Sequence, residues 1–193
     1  MAVKKLAKIS RYIGLAGEAP TGVPVGSTFY AYDTKALYIT YDGTNYVIKG
    51  QGLEQSVAKT DGAVLNGQDN LFTISGGRVL MTSIIGEVTT VIATAANTLK
   101  LTATPTVGTA RDICAALDIG TVPWQEGDVL GITGINTDAM IPAASAGSVE
   151  GMTVPVVLQE GTLDWECNAS KTGKIKWTMR YIAIDEGAVV VAS

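Results

Sequence analysis

The sequence predicts an all-β protein: a jelly-roll-like antiparallel β-sandwich preceded by an N-terminal arm and a small β-hairpin or meander. Three observations carry that reading. "TLKLTAT" sets Leu99, Leu101 and Ala103 against Lys100, Thr102 and Thr104 with a period of two. "KIKWTMRYIAI" alternates Ile175, Trp177, Met179, Tyr181 and Ala183 with Lys174, Lys176, Thr178 and Arg180. Asp42-Gly43, between two runs rich in tyrosine and isoleucine, is a strong hairpin signal, because a type I′ turn needs positive φ at both central positions.

In chain order, residues 1–26 read as an arm and connector. In "MAVKKLAKISRYIG", Val3, Leu6, Ile9 and Ile13 fall at helical spacing, with Lys4, Lys5, Lys8 and Arg11 on the other side. The segment reads as a short amphipathic helix or an arm extended along a partner, with a frayed basic tail as the plainer alternative. "GEAPTGVPVG" is an extended Pro/Gly connector. Residues 27–50 form the hairpin module, with strands at 28–32, 37–41 and 44–48. A type I′ turn there pairs Tyr41 with Thr44, Ile39 with Tyr46 and Leu37 with Ile48. Leu37, Ile39, Tyr41, Tyr46 and Ile48 then share one face, and Tyr38, Thr40, Asn45 and Val47 the other. The tyrosines of "YDTKALYITYDGTNYV" are thus the wall of a sheet.

Residues 51–70 are polar and Gly-dotted, without a period, and read as a linker. Residues 71–193 form the sandwich, with further runs at 129–132, 153–158 and 189–192 separated by Gly, Pro, Asn and Asp. Only "RDICAALDI" invites a helical reading, and its borders keep it short. There is no internal repeat.

Of 193 residues, 47% are hydrophobic and only 17% charged, and the mean hydropathy is +0.26. About a quarter of residues are ordinarily charged, so an oligomer that covers apolar surface is the economical reading. No stretch approaches the roughly 20 apolar residues of a membrane helix; residues 79–95 are broken by Gly86-Glu87 and read as strand. A net charge of −4 offers no overall basic field for nucleic acid. Neither a membrane nor a nucleic acid is expected as a partner. No apolar h-region follows the basic N-terminus, so synthesis in the cytoplasm is expected. Cys114 and Cys167 read as buried free thiols.

Candidate chemistry is sparse, and no catalytic residue, metal or cofactor is expected. The chain has no histidine, which removes Ser-His-Asp and Cys-His catalysis and His-ligated zinc. "SKTGK" lacks the glycine spacing of a P-loop. Candidate glycosidase carboxylates include Asp164 and Glu166, two apart on one strand and about 7 Å from each other; solvated strand-face charges are the plainer reading. "NGQDN" and "NTD" do not match the EF-hand spacing and read as turns. Trp124, in the Pro/Gly-bounded loop "TVPWQEGD", is the candidate exposed aromatic, an interface anchor or sugar-stacking platform; a loop tryptophan folded back over the end of the sandwich is the plainer reading.

Two stretches carry a resemblance. "SRYIGLAGEAPTGVPVGSTFYAYDTKALYITYDGTNYVIKG" (10–50) resembles a segment common near the N-terminus of structural proteins of tailed bacteriophages. "GRVLMTSIIGEVTTVI" through "KTGKIKWTMRYIAIDEGAVVVA" (77–192), with "TPTVGT" and "TGKIKW", is similar to a second recurrent phage virion module. The resemblance implies a non-enzymatic virion component of the capsid decoration (cement) or head-fibre type, made in the host cytoplasm and seated on the capsid surface as a homotrimer. Its partner would be the major capsid protein, docked through the arm residues Val3, Lys4, Lys5, Leu6, Lys8, Ile9, Arg11 and Ile13. The alternative is a head or tail fibre that binds host-surface glycans through Trp124 and neighbouring loops.

Overall fold

The computed structural model describes residues 10–33, 36–50, 54–60, 64–65, 67–143 and 147–193. The chain divides into two compact units, Met1–Leu53 and Glu54–Ser193. Among the described residues every helical turn is a short 3-10 turn, and the strands carry the architecture.

The smaller unit is a four-stranded sheet in the order β1 (Arg11–Gly14), β2 (Thr28–Ala31), β3 (Ala36–Thr40), β4 (Tyr46–Gly50). β1 runs parallel to β2; the other pairs are antiparallel. Phe29 is buried at its centre, with the rings of Tyr38 and Tyr46 at 6.3 and 6.0 Å. These are edge-to-face and tilted contacts of the kind aromatic pairs favour.

Asp42-Gly43 turns the chain through a wider loop than the type I′ turn predicts. Thr40 pairs with Tyr46, Ile39 with Val47 and Tyr38 with Ile48, one residue off the expected register. A one-residue slip exchanges the faces: Tyr38 and Thr40 lie on the Phe29 side, and Tyr41 is 68% exposed in the loop. The cause is the Asp42 carboxylate, which accepts the backbone N–H groups of Thr44 (2.8 Å) and Asn45 (2.7 Å) and the Asn45 amide (2.6 Å). Gly43 N–H donates to Thr40 Oγ1 at 2.8 Å. Such side-chain bonds to local backbone compete directly with the ladder.

The same bonds, led by that from Thr44, hold the Asp42 carboxyl well below the usual carboxylate range. A depressed folded-state value contributes stability that is present above the ordinary pKa near 4 and is lost as pH falls through the lower one. An acid titration followed by NMR should therefore show the Thr44 and Asn45 amides released well below pH 4. Release at pH 4 or above would contradict this account, as would an identical transition in Asp42→Ala.

In the larger unit the chain passes from one sheet to another at almost every long strand. β5 (Gln55–Thr60) belongs to a first sheet and β6 (Val64–Leu65) to a two-stranded ribbon. β7 (Gln68–Ser75) opens a second sheet, β8 (Val79–Thr90) returns to the first and β9 (Thr98–Pro105) to the second. β10 (Arg111–Asp112) and β11 (Leu117–Asp118) stay beside β9. β12 (Val129–Gly131), β13 (Ile141–Ala143) and β14 (Val156–Leu158) join the first sheet, and β15 (Gly161–Cys167) the second. β16 (Lys171–Thr172) closes the ribbon with β6, β17 (Lys174–Ala183) lies in the first sheet and β18 (Val189–Ala192) in the second.

The first sheet has the order β13-β12-β8-β17-β5, with β14 also on β8; the second has β10-β9-β15-β7-β18, with β11 also on β9. The pairs β7–β18, β8–β17 and β9–β15 are nested, first strands with last. Leu71, Phe72, Leu101, Leu163 and Trp165 of the second sheet form one buried cluster with Met81, Ile84, Trp177 and Met179 of the first. Two antiparallel sheets sharing one apolar interior are a β-sandwich. The alternating runs that predict strands at 98–104 and 174–183 fall on β9 and β17.

Two readings need correction. Residues 51–70 are not simply a linker, because β5 pairs with β17 from Gln55 opposite Tyr181 to Thr60 opposite Lys176. An edge strand needs a partner on one side only, and Val57 alone supplies its aliphatic signal, so no period shows in the sequence. "RDICAALDI" forms no helix: β10 and β11 both pair with β9. Ile113 N–H donates to Leu101 O at 2.9 Å and Leu101 N–H to Cys114 Sγ at 3.3 Å, which buries Ile113 and Cys114 together. Both cysteines are buried and neither is in a disulfide, and burial pushes the Cys114 thiol up to about 11.

Candidate functional site

Of the docking-arm residues, Val3, Lys4, Lys5, Leu6, Lys8 and Ile9 lie outside the described residues. Arg11 and Ile13 belong to β1, so the helical spacing does not continue through them. The ladder explains this: Thr28 N–H donates to Ser10 O and Tyr32 N–H to Gly14 O, both at 3.0 Å. Strand alternation turns Tyr12 and Gly14 toward Phe29 and Ala31, and Arg11 and Ile13 to the opposite face. A Cβ on Gly14 would lie 3.3 Å from the Phe29 ring, so the edge strand sits tightly on the core. On the opposite face Ile13, Tyr30 and Leu37 form a row across three strands, and Ile13 is 70% exposed.

Trp124 is not exposed. It is 2% accessible and bridges Ile92 by two backbone hydrogen bonds of 3.0 Å each. That short ladder pins the Pro/Gly-bounded loop and turns the indole inward, where its Nε1 has no partner among the described residues. A ring in that position offers no stacking platform.

Asp164 and Glu166 lie on the outer side of β15 but neither is free. Asp164 is 1% accessible; its Oδ2 accepts from Thr104 Oγ1 (2.7 Å) and Gln68 Nε2 (3.0 Å), and its Oδ1 has no described partner. Glu166 pairs with Lys100 at 3.0 Å, and Lys100 also with Asp112 at 3.1 Å. These bonds, led by that from Glu166, raise the Lys100 pKa. Glycoside hydrolysis needs two carboxylates flanking an accessible bond, whereas these two are strapped into a polar ladder over three strands. Asp138 of "NTD" accepts from Thr133 Oγ1 at 2.9 Å, as a turn residue does. Among the described residues no group of three acidic or cysteine side chains is placed to hold a metal.

The sequence gives no sign of a cleft of about 570 Å³ in the larger unit, between β14 and the ends of β9 and β10. Ile74, Ile113, Val156 and Leu158 line it beside Thr104, Asp112 and Gln159, and the exposed Arg111 and Asn136 line it too. "VVL" in β14 hides it, because three consecutive apolar residues leave one outside whichever face is buried; that one is Val157, 53% exposed. Among the described residues no carboxylate lies within ion-pair distance of Arg111, while neighbouring Asp112 is engaged by Lys100 and by Thr102 Oγ1 at 2.9 Å.

No protein-family model, no curated protein and no solved structure matches the chain.

Proposed function

We propose that this chain is a non-enzymatic structural protein of a tailed-bacteriophage virion, a capsid decoration (cement) protein. It docks on the major capsid protein through its N-terminal unit and self-associates, as a homotrimer, through its sandwich. The reading starts from the resemblance of residues 10–50 and 77–192 to phage virion modules. The structural observation that carries it is the edge strand β1, which follows the basic segment holding Lys4, Lys5 and Lys8 and presents Arg11 and Ile13 outward. An exposed Ile13, continued by the half-buried Tyr30 and Leu37 and set beside positive charge, suits an acidic, partly apolar coat surface. Repetition over a trimer turns weak single contacts into avid ones.

The test is binding of the purified full chain to isolated capsids of the source phage. Saturable binding is expected, and Ile13→Asp combined with Arg11→Glu should weaken it about ten-fold or more, since a buried charge at an apolar contact and a reversed rim charge both oppose docking. Both side chains are exposed, so the fold should survive. Absence of binding to capsids, or undiminished binding by the double variant, would overturn the reading.

A further inference from the structure

We infer that the cleft beside Arg111 is a self-association site that receives the β18 end of a second copy of this chain, with Glu186 of that copy opposite Arg111. The cleft sets the aliphatic side chains of Ile74, Ile113, Val156 and Leu158 among polar ones, and its exposed cation, Arg111, has no ion-pair partner among the described residues. A complementary surface must therefore carry exposed aliphatic side chains next to an available anion. Residues 186–191 of the same chain, "EGAVVV", meet both requirements. Val189 and Val191 are 40% and 51% exposed on the outer side of β18, while Val190 between them is buried.

Glu186 is exposed just before the strand, and among the described residues it has no ion-pair partner. Neighbouring Asp185 is taken by Arg78, which donates through Nε and Nη2 at 2.8 Å each. The Val190 N–H goes to the Tyr181 hydroxyl at 3.2 Å. β18 is an edge strand paired with β7 alone, with one of its outward donors already taken, and it presents Val189 and Val191 from its outer face.

The order β10-β9-β15-β7-β18 places Arg111 and β18 at opposite edges of the second sheet. Four strand spacings separate them, about 19 Å at ~4.8 Å each, which prevents a close pair within one chain. A contact joining two different surfaces is heterologous, and it closes into a ring when the rotation between subunits permits. The inference deepens the self-association part of the proposed function and rests on the sandwich alone, not on capsid docking. The two fail separately, because the β1 variants leave this contact intact and the variants below leave β1 intact.

Light scattering and sedimentation of the full chain test it. The wild type should form a closed oligomer. Arg111→Glu and Glu186→Arg, both at exposed positions, should each weaken assembly about ten-fold or more. The double swap, which restores opposite charges, should recover it. Val189→Ser with Val191→Ser should weaken assembly without any charge change. A monomeric wild type, an oligomer indifferent to both single reversals, or a double swap no better than either single would each overturn the inference.

Discussion

Trp177→Ala is expected to lower the unfolding free energy of the sandwich by about 3–5 kcal/mol, the range for removing a buried aromatic side chain. Trp177 is 1% accessible and sits at the middle of β17, whose partner β8 crosses the centre of the first sheet. Directly opposite is Gly86, where a Cβ would lie 3.0 and 3.1 Å from Trp177 Cζ3 and Cη2 and 2.9 Å from Ile175 Cγ2. The indole thus occupies the volume a side chain at 86 would need, and its loss leaves a void that two paired backbones cannot close.

Trp177→Phe should cost markedly less. It keeps a ring and removes a buried Nε1–H that has no partner among the described residues, a group whose burial itself costs about 1–3 kcal/mol. Gly86→Ala should be destabilising alone and less so beside Trp177→Ala, because the two changes compete for one space. Chemical denaturation read by Trp fluorescence and circular dichroism decides the matter. A cost for Trp177→Ala below about 1 kcal/mol would place the centre of the core elsewhere.

The core of this molecule is legible where strands alternate cleanly and both neighbours in the sheet agree. β9 and β17 are central, each paired on two sides, so their inner rows had to be apolar throughout. Legibility fails where a side chain, not the ladder, fixes the backbone. Asp42 reads as half of a type I′ turn, yet its carboxylate gathers local N–H groups, widens the loop and moves the register by one.

Trp124 shows the complementary failure. Its loop has turn residues on both sides and no period, and the partner that buries it, Ile92, is an isolated bridge far back in the chain. Asp164 and Glu166 reveal their strand face but not that Gln68, Thr104 and Lys100 will close over them. Those partners arrive from β7 and β9 through tertiary pairing that no local pattern encodes. The cleft is harder still, since Ile74, Arg111 and Val156 come from three separated segments and each is unremarkable in its own.

Gly161→Ala should be the second severe substitution, at roughly 2–6 kcal/mol, the sum of overpacking (about 1–3) and an unfavourable backbone region (about 1–3). Gly161 opens β15 at φ 143°, outside the range that L side chains adopt freely. A Cβ there would stand 2.2 Å from Thr104 O and 2.6 Å from Pro105 Cα. Both obstacles are backbone of β9, which is held by its own ladder and cannot swing aside as a side-chain end would.

Gly127→Ala separates the two contributions. Gly127 has φ 89°, and a Cβ added there would meet nothing within 4 Å, so it should show the backbone cost alone. The excess in Gly161→Ala then measures the steric clash. Thr104, Pro105 and Thr162 also line the cleft, so the displacement should reach it: Gly161→Ala should weaken self-association even at temperatures where the sandwich remains folded, while Gly127→Ala should not. Equal costs for the two alanines would mean that β9 yields to the new methyl, and the mouth of the cleft would then not be rigid.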